Sequence, residues 1–150
     1  MRIDAYLQQS PVCEINRAFR RIDQDLTRLL LPTGLHFVEA LVISSILFEE
    51  PGTVTPSLLA DTFATTRGNI SHCIASLEAK GLLSRQVDAE DARVFHLRLK
   101  PAGRKCAMQV VRTLDRLQRT FEKRIAPAEL RGAIRTIRAV EELCAAGQSS

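Results

Sequence analysis

Between Thr65 and His72 the chain gathers Thr65, Thr66, Arg67, Asn69, Ser71 and His72 within about two helical turns. Each of these side chains donates or accepts hydrogen bonds. The threonine hydroxyls suit phosphate oxygens, while the arginine fork takes a phosphate or the outer edge of a guanine. Asn69 and Ser71 can meet base edges, and His72 either partner. Gly68 costs a helix roughly 1 kcal/mol against alanine, but leaves room for close approach to a surface. The plain alternative is a solvated helix face, so the surroundings must decide.

Other chemistry is sparse. Cys13, Cys73, Cys106 and Cys144 are widely spaced, with no C-x-x-C pair, so they encode neither a zinc ribbon nor a disulfide framework. His36, His72 and His96 are too far apart for a local metal motif. No nucleophile with its base and no phosphate-cradling glycine loop is present, which argues against an enzyme and against a cofactor.

The elements that must position the polar cluster follow from periodicity. Val12, Ile15, Phe19, Ile22, Leu26 and Leu29 or Leu30 form an apolar stripe on a helix over about 11–31, ended by Pro32 and Gly34. A second helix, about Leu35 to Glu49, is apolar on more than one face and reads as the buried centre. Thr55-Pro56 starts a short third helix with Leu58, Leu59 and Phe63 inward, breaking near Ala64-Thr65. Thr66 to Lys80 is a fourth, with Ile70, Ile74 and Leu77 inward and Gly81 as a left-handed cap. Two short helices joined by a tight turn form a helix-turn-helix.

After Leu83 the period changes to 2. Phe95, Leu97 and Leu99 alternate with His96, Arg98 and Lys100, and Ser84–Val87 supplies the partner strand. The polar link 88–92 makes the pair a hairpin with an exposed tip. Pro101 and Pro127 then open two amphipathic helices. The first carries Met108, Val111, Leu114, Leu117 and Phe121, the second Leu130, Ile134, Ile137, Val140 and Leu143. Cys73 is expected in the core, and Cys106 and Cys144 as packing residues.

This order, and above all the stretch TTRGNISHCIASLEAKGLLSRQVDAEDARVFHLRLKPAG at 65–103, resembles the MarR family of bacterial regulators (multiple antibiotic resistance regulators). The match lies in the recognition helix, the Leu-Glu-x-x-Gly-Leu junction, the Asp-x-Arg wing tip and the glycine that starts the following helix. Ala92 and Lys100 depart from the pattern, the first where a second basic residue is common and the second in place of a threonine.

The resemblance implies a mainly α fold with a small β wing. A winged helix-turn-helix lobe over about 35–100 joins a dimerisation lobe of helices at about 11–31 and 101–146, all within one MarR-like domain, 1–150. It implies double-stranded DNA and a second copy of the chain as partners, and release by a small amphipathic or phenolic effector. Arg93 would reach the minor groove, where narrowed A·T tracts attract guanidinium, and Arg85 would contact the backbone. Asp91, repelled by phosphates, supports the wing. Some members sense oxidants through a first-helix cysteine, a role open to Cys13 with Arg17 one turn on, though a buried structural thiol is commoner. His36 is the nominee for an effector pocket, against the commoner role of a helix-start histidine. The rival readings are a thiol-based redox regulator of the same fold and a winged-helix module that binds protein.

Composition sets outer bounds. With 150 residues, 45% of them hydrophobic, the chain can bury a core, and 21 basic against 17 acidic residues permit nucleic acid without demanding it. The longest apolar run, Phe37–Phe48, is interrupted by Glu39, and no leader-like segment opens the chain, so a cytoplasmic location is expected.

Overall fold

The computed structural model describes residues 3, 7, 9–49, 52–87 and 95–147. Its elements are α1 (Pro11–Leu30), a 3-10 turn (Leu31–Thr33), α2 (Phe37–Phe48), α3 (Pro56–Thr62), α4 (Arg67–Ala79), β1 (Leu83–Val87), β2 (Phe95–Leu99), α5 (Pro101–Arg124) and α6 (Pro127–Ala146). The chain is mainly α with one antiparallel two-stranded sheet, the fold class that the pattern predicts. It forms two compact units, 26–114 and 1–25 with 115–150, which part inside α1 and inside α5.

Unit 26–114 holds the core. Pro32 cannot continue α1, so the backbone tightens into the 3-10 turn, and Gly34 closes it at φ 70° while its N–H donates to Leu31 O at 2.9 Å. Helix α2 supplies Ala40, Val42 and Ile43 to the interior and packs on α4 and β2. Ile70, Ile74 and Leu77 of α4, Leu83, Leu97 and the small face of α5 (Ala107, Val110) complete it.

Helix α4 ends as its glycine predicts. Gly81 takes φ 71°, its N–H bonds Glu78 O and the Leu82 N–H reaches back to Leu77 O, both at 2.9 Å, a full Schellman closure. The chain therefore leaves directly into β1. The strands pair Leu83 with Leu99, Arg85 with Leu97 and Val87 with Phe95.

Two expectations need correcting. Leu58 faces solvent, because the inward side of α3 is built by Leu59 and Ala60. On α5 the buried residues are Gly103, Ala107 and Val110, beside a stripe in which Met108 is exposed and Val111 half-covered. Cys144 is exposed on α6 instead of packed.

In the other unit, the described parts of α1, α5 and α6 leave Phe19, Ile22, Leu117, Phe121, Ile134, Ile137 and Leu143 exposed, Phe19 at 66% and Leu143 at 73%. No single described helix is long and apolar enough to cross a membrane.

Candidate nucleic-acid interface

The polar cluster sits at the leading end of α4, held there by a chain of local bonds. Thr55 caps α3 by accepting from the Leu58 N–H at 3.2 Å, with Pro56 in the first turn. Helix α3 cannot run into α4 because Ala64 takes φ 49°, a left-handed conformation that costs a non-glycine residue roughly 1–2 kcal/mol. The Thr65 N–H then donates to Ala60 O at 2.9 Å, locking the turn between the two helices.

Thr66 is the cap of α4. Its Oγ1 accepts from the Asn69 N–H at 3.1 Å, and the Asn69 side-chain amide donates to Thr65 Oγ1 at 2.9 Å. Thr65, Thr66 and Asn69 thus form one preorganised knot. Around it Arg67, Gly68, Ser71 and His72 are exposed. A Cβ at Gly68 would meet only Thr66 Oγ1, at 3.9 Å, so the outer side of this turn is open. No acidic residue occupies the first turn of α4, leaving its amide N–H groups and positive dipole end available to an anion.

Behind the leading end the helix is anchored. Cys73 is buried as expected, and burial raises its thiol pKa, with the Glu39 carboxylate adding to the rise and Lys80 opposing it. Cys106 is half-buried with its Sγ 3.7 Å from Thr33 O, and burial likewise raises its pKa. Neither thiol is poised as a nucleophile.

Glu39, 4% exposed, is the one buried charged residue among those described. Its carboxylate accepts from Lys80 Nζ at 2.8 and 2.9 Å, from the His36 N–H at 2.9 Å and from the Ser76 hydroxyl. Desolvation pushes its pKa up, but these donors outweigh it, and the pKa lies below the ordinary carboxylate value. Sequence reading missed this site. The signal was there as a lone charge inside the apolar run Phe37–Phe48.

The remaining candidates are distributed as follows. Arg85 is engaged at the wing root, 3.0 Å from Glu78 Oε2 and 5.1 Å over the Phe95 ring, so a phosphate would have to compete with Glu78. Asp91 and Arg93 lie outside the described residues. His36 is the cap residue of α2, its backbone N–H held by Glu39. Cys13, in α1, is half-buried; its N–H donates to Ser10 Oγ at 3.4 Å, and Arg17 pairs with Glu14 at 3.6 Å. Within the unit 26–114 the structure brings Thr65 to His72 together on one helix end, apart from His36 at the start of α2, and Cys13 belongs to the other unit. Among the described residues no group of three His, Cys, Asp or Glu could hold a metal ion.

Residues 33–94, from the turn before α2 through the helix-turn-helix and β1, match the model of the MarR family. The fold is that of solved MarR-family regulators. Staphylococcus aureus MepR, solved as a DNA complex, superimposes with a TM-score of 0.74 at 17% identity over 87% of this chain and 94% of that one. CouR from Rhodococcus jostii RHA1, bound to p-coumaroyl-CoA, gives 0.70 at 19% identity over 89% and 93%. A Mycobacterium tuberculosis regulator, MosR, also in complex with DNA, gives 0.67 at 20% identity over 91% and 98%. No curated protein matches the chain. The family recognised in the 65–103 stretch is therefore the one that the wing-bearing lobe matches, and the chain carries its winged-helix fold.

Proposed function

We propose that the chain is a homodimeric, sequence-specific DNA-binding transcriptional regulator, acting as a repressor in the cytoplasm. The observation that carries this reading is the exposed, capped leading end of α4, where Arg67, Asn69, Ser71 and His72 surround an open glycine. A major groove admits one α-helix, and a helix that enters it presents small and polar side chains first, with apolar ones behind. Helix α4 has that order, with Ile70, Cys73, Ile74 and Leu77 turned inward.

In this reading Arg67, Asn69 and Ser71 meet bases, while Thr65, Thr66 and His72 hold phosphates. Arg85 and Arg93 add contacts from the wing, and Asp91 supports it. The DNA complexes of MepR and MosR lend support at the level of fold. The exposed apolar faces of α1, α5 and α6 supply a surface for a second copy. Release by a small amphipathic effector follows from the ligand seen with CouR, extended to this chain by its fold.

A gel-shift titration with duplex from the gene's own upstream region, at two salt concentrations, tests the reading. Tight binding that persists against random competitor, and weakens with salt, is the expected result. Equal affinity for both duplexes, or none, refutes it.

A further inference from the structure

Glu39 and Lys80 join parts of the lobe that are distant in sequence, and they do so directly behind the reading helix. Lys80 caps the C-terminal end of α4, and its ammonium reaches both oxygens of Glu39, on α2, at 2.8 and 2.9 Å. The same ammonium donates to Gly34 O at 3.0 Å, in the turn that ends the 3-10 segment. Ser76, one turn earlier on α4, bonds the same carboxylate. Two points of α4 are thereby fixed to α2 and to the turn out of α1.

The pair has one buried member: the Glu39 side chain is 5% exposed, while that of Lys80 keeps 36%. Desolvating the carboxylate offsets much of the attraction, and apolar residues of similar volume often serve a fold as well or better. Apolar contacts slide; a carboxylate that accepts from Lys80, Ser76 and His36 at once does not. What the pair adds is therefore directional: it fixes the rotation and axial position of α4 on α2.

We propose that Glu39 and Lys80 are positioning residues for DNA recognition, setting the register in which the leading end of α4 meets the bases. The proposal rests on α4 being the reading helix. A small rotation of α4 would displace Arg67, Asn69 and Ser71 from base edges, where bidentate geometry is demanding. Contacts to phosphates, made by long or rotatable groups, would be less affected.

The test uses the full chain, with Glu39→Met, Lys80→Met and the double variant. Thermal unfolding is measured alongside affinity for two duplexes, one selected by the wild type from a random pool and one of scrambled sequence. Lys80→Met, which strands a buried carboxylate, should be the least stable, and the double variant should recover wild-type stability. The double variant should still bind the selected duplex at least tenfold more weakly than wild type, with affinity for the scrambled duplex within twofold. Recovery of selected-duplex affinity together with stability overturns the proposal and leaves the pair a structural brace. If the double variant fails to fold, Glu39→Gln, which keeps shape and loses charge, gives the same reading: a loss of threefold or more on the selected duplex alone supports positioning, and wild-type affinity overturns it. Failure of the wild type to select any duplex refutes the DNA-reading function itself, and the proposal with it.

Discussion

The side chains at the leading end of α4 differ in how committed they already are, and this ranks their contributions. Asn69 is held by Thr65 and, in the proposed role, would have to exchange that bond for a base, whereas Arg67 and Ser71 are exposed. Arg67→Ala and Asn69→Ala should each weaken binding and relax preference at one operator position, by about 1–3 kcal/mol of discrimination in a competition assay. Thr66→Ala, which removes the cap, should instead cost about 1 kcal/mol of folding stability by chemical denaturation. Glu39 titrates differently from an exposed carboxylate. Lys80, Ser76 and the His36 N–H face it, with Cys73 nearby, and its folded pKa is lowered. A lowered folded pKa means stability present above the ordinary unfolded value, 4.5, and lost as pH falls through the folded one. The urea midpoint should therefore drop between about pH 4.5 and lower values, and less steeply in Glu39→Gln. The polar cluster was legible because donors and acceptors were contiguous. The Glu39–Lys80 pair was not, since its partners are separated by 41 positions and only the fold brings them together.

At the scale of elements, helix ends were the most readable features because their signals are local. Pro32, Thr55-Pro56, Thr66 and Gly81 each stop or start a helix through their own backbone chemistry, and each does so within a residue or two of the expected place. Faces were harder. Helix α5 has apolar residues on two sides, and periodicity traced the stripe through Met108 and Val111 without showing that the buried side is Gly103, Ala107 and Val110. Gly103 explains which side is buried. A Cβ there would lie 1.8 Å from Leu82 O, the carbonyl that accepts from the Lys100 N–H, so helix and strand junction meet backbone to backbone. Gly103→Ala should cost about 3 kcal/mol or more in chemical denaturation, since backbone atoms cannot yield as a flexible side chain would. Gly68→Ala should leave stability unchanged or raise it by up to about 1 kcal/mol, because its Cβ is unobstructed and alanine favours the helix. Opposite signs at two helical glycines distinguish a packing glycine from a surface one.

For the whole molecule, large apolar side chains are left open on α1, α5 and α6, a feature that marks a surface for association. Phe19, Ile22, Leu117, Phe121, Ile134 and Ile137 recur along these helices, a pattern suited to helix-on-helix burial. A closed two-fold dimer covers such faces with one repeated interface. Sedimentation should show a dimer at micromolar concentration, and the double variant Phe19→Glu/Ile137→Glu should sediment as a monomer that keeps the folded winged-helix lobe. The consequence for DNA is geometric. A two-fold dimer presents two copies of α4, and tight binding requires both to face the duplex from the same side, about one turn or 34 Å apart. The operator should then be a pseudo-palindrome with half-sites about 10 base pairs centre to centre. Inserting about 5 base pairs between them rotates one half-site to the opposite side of the duplex and should abolish tight binding, while a full-turn insertion restores the facing but stretches the spacing. An isolated half-site bound as tightly as the full operator would mean that each lobe reads DNA alone, and the dimer would then have no part in recognition.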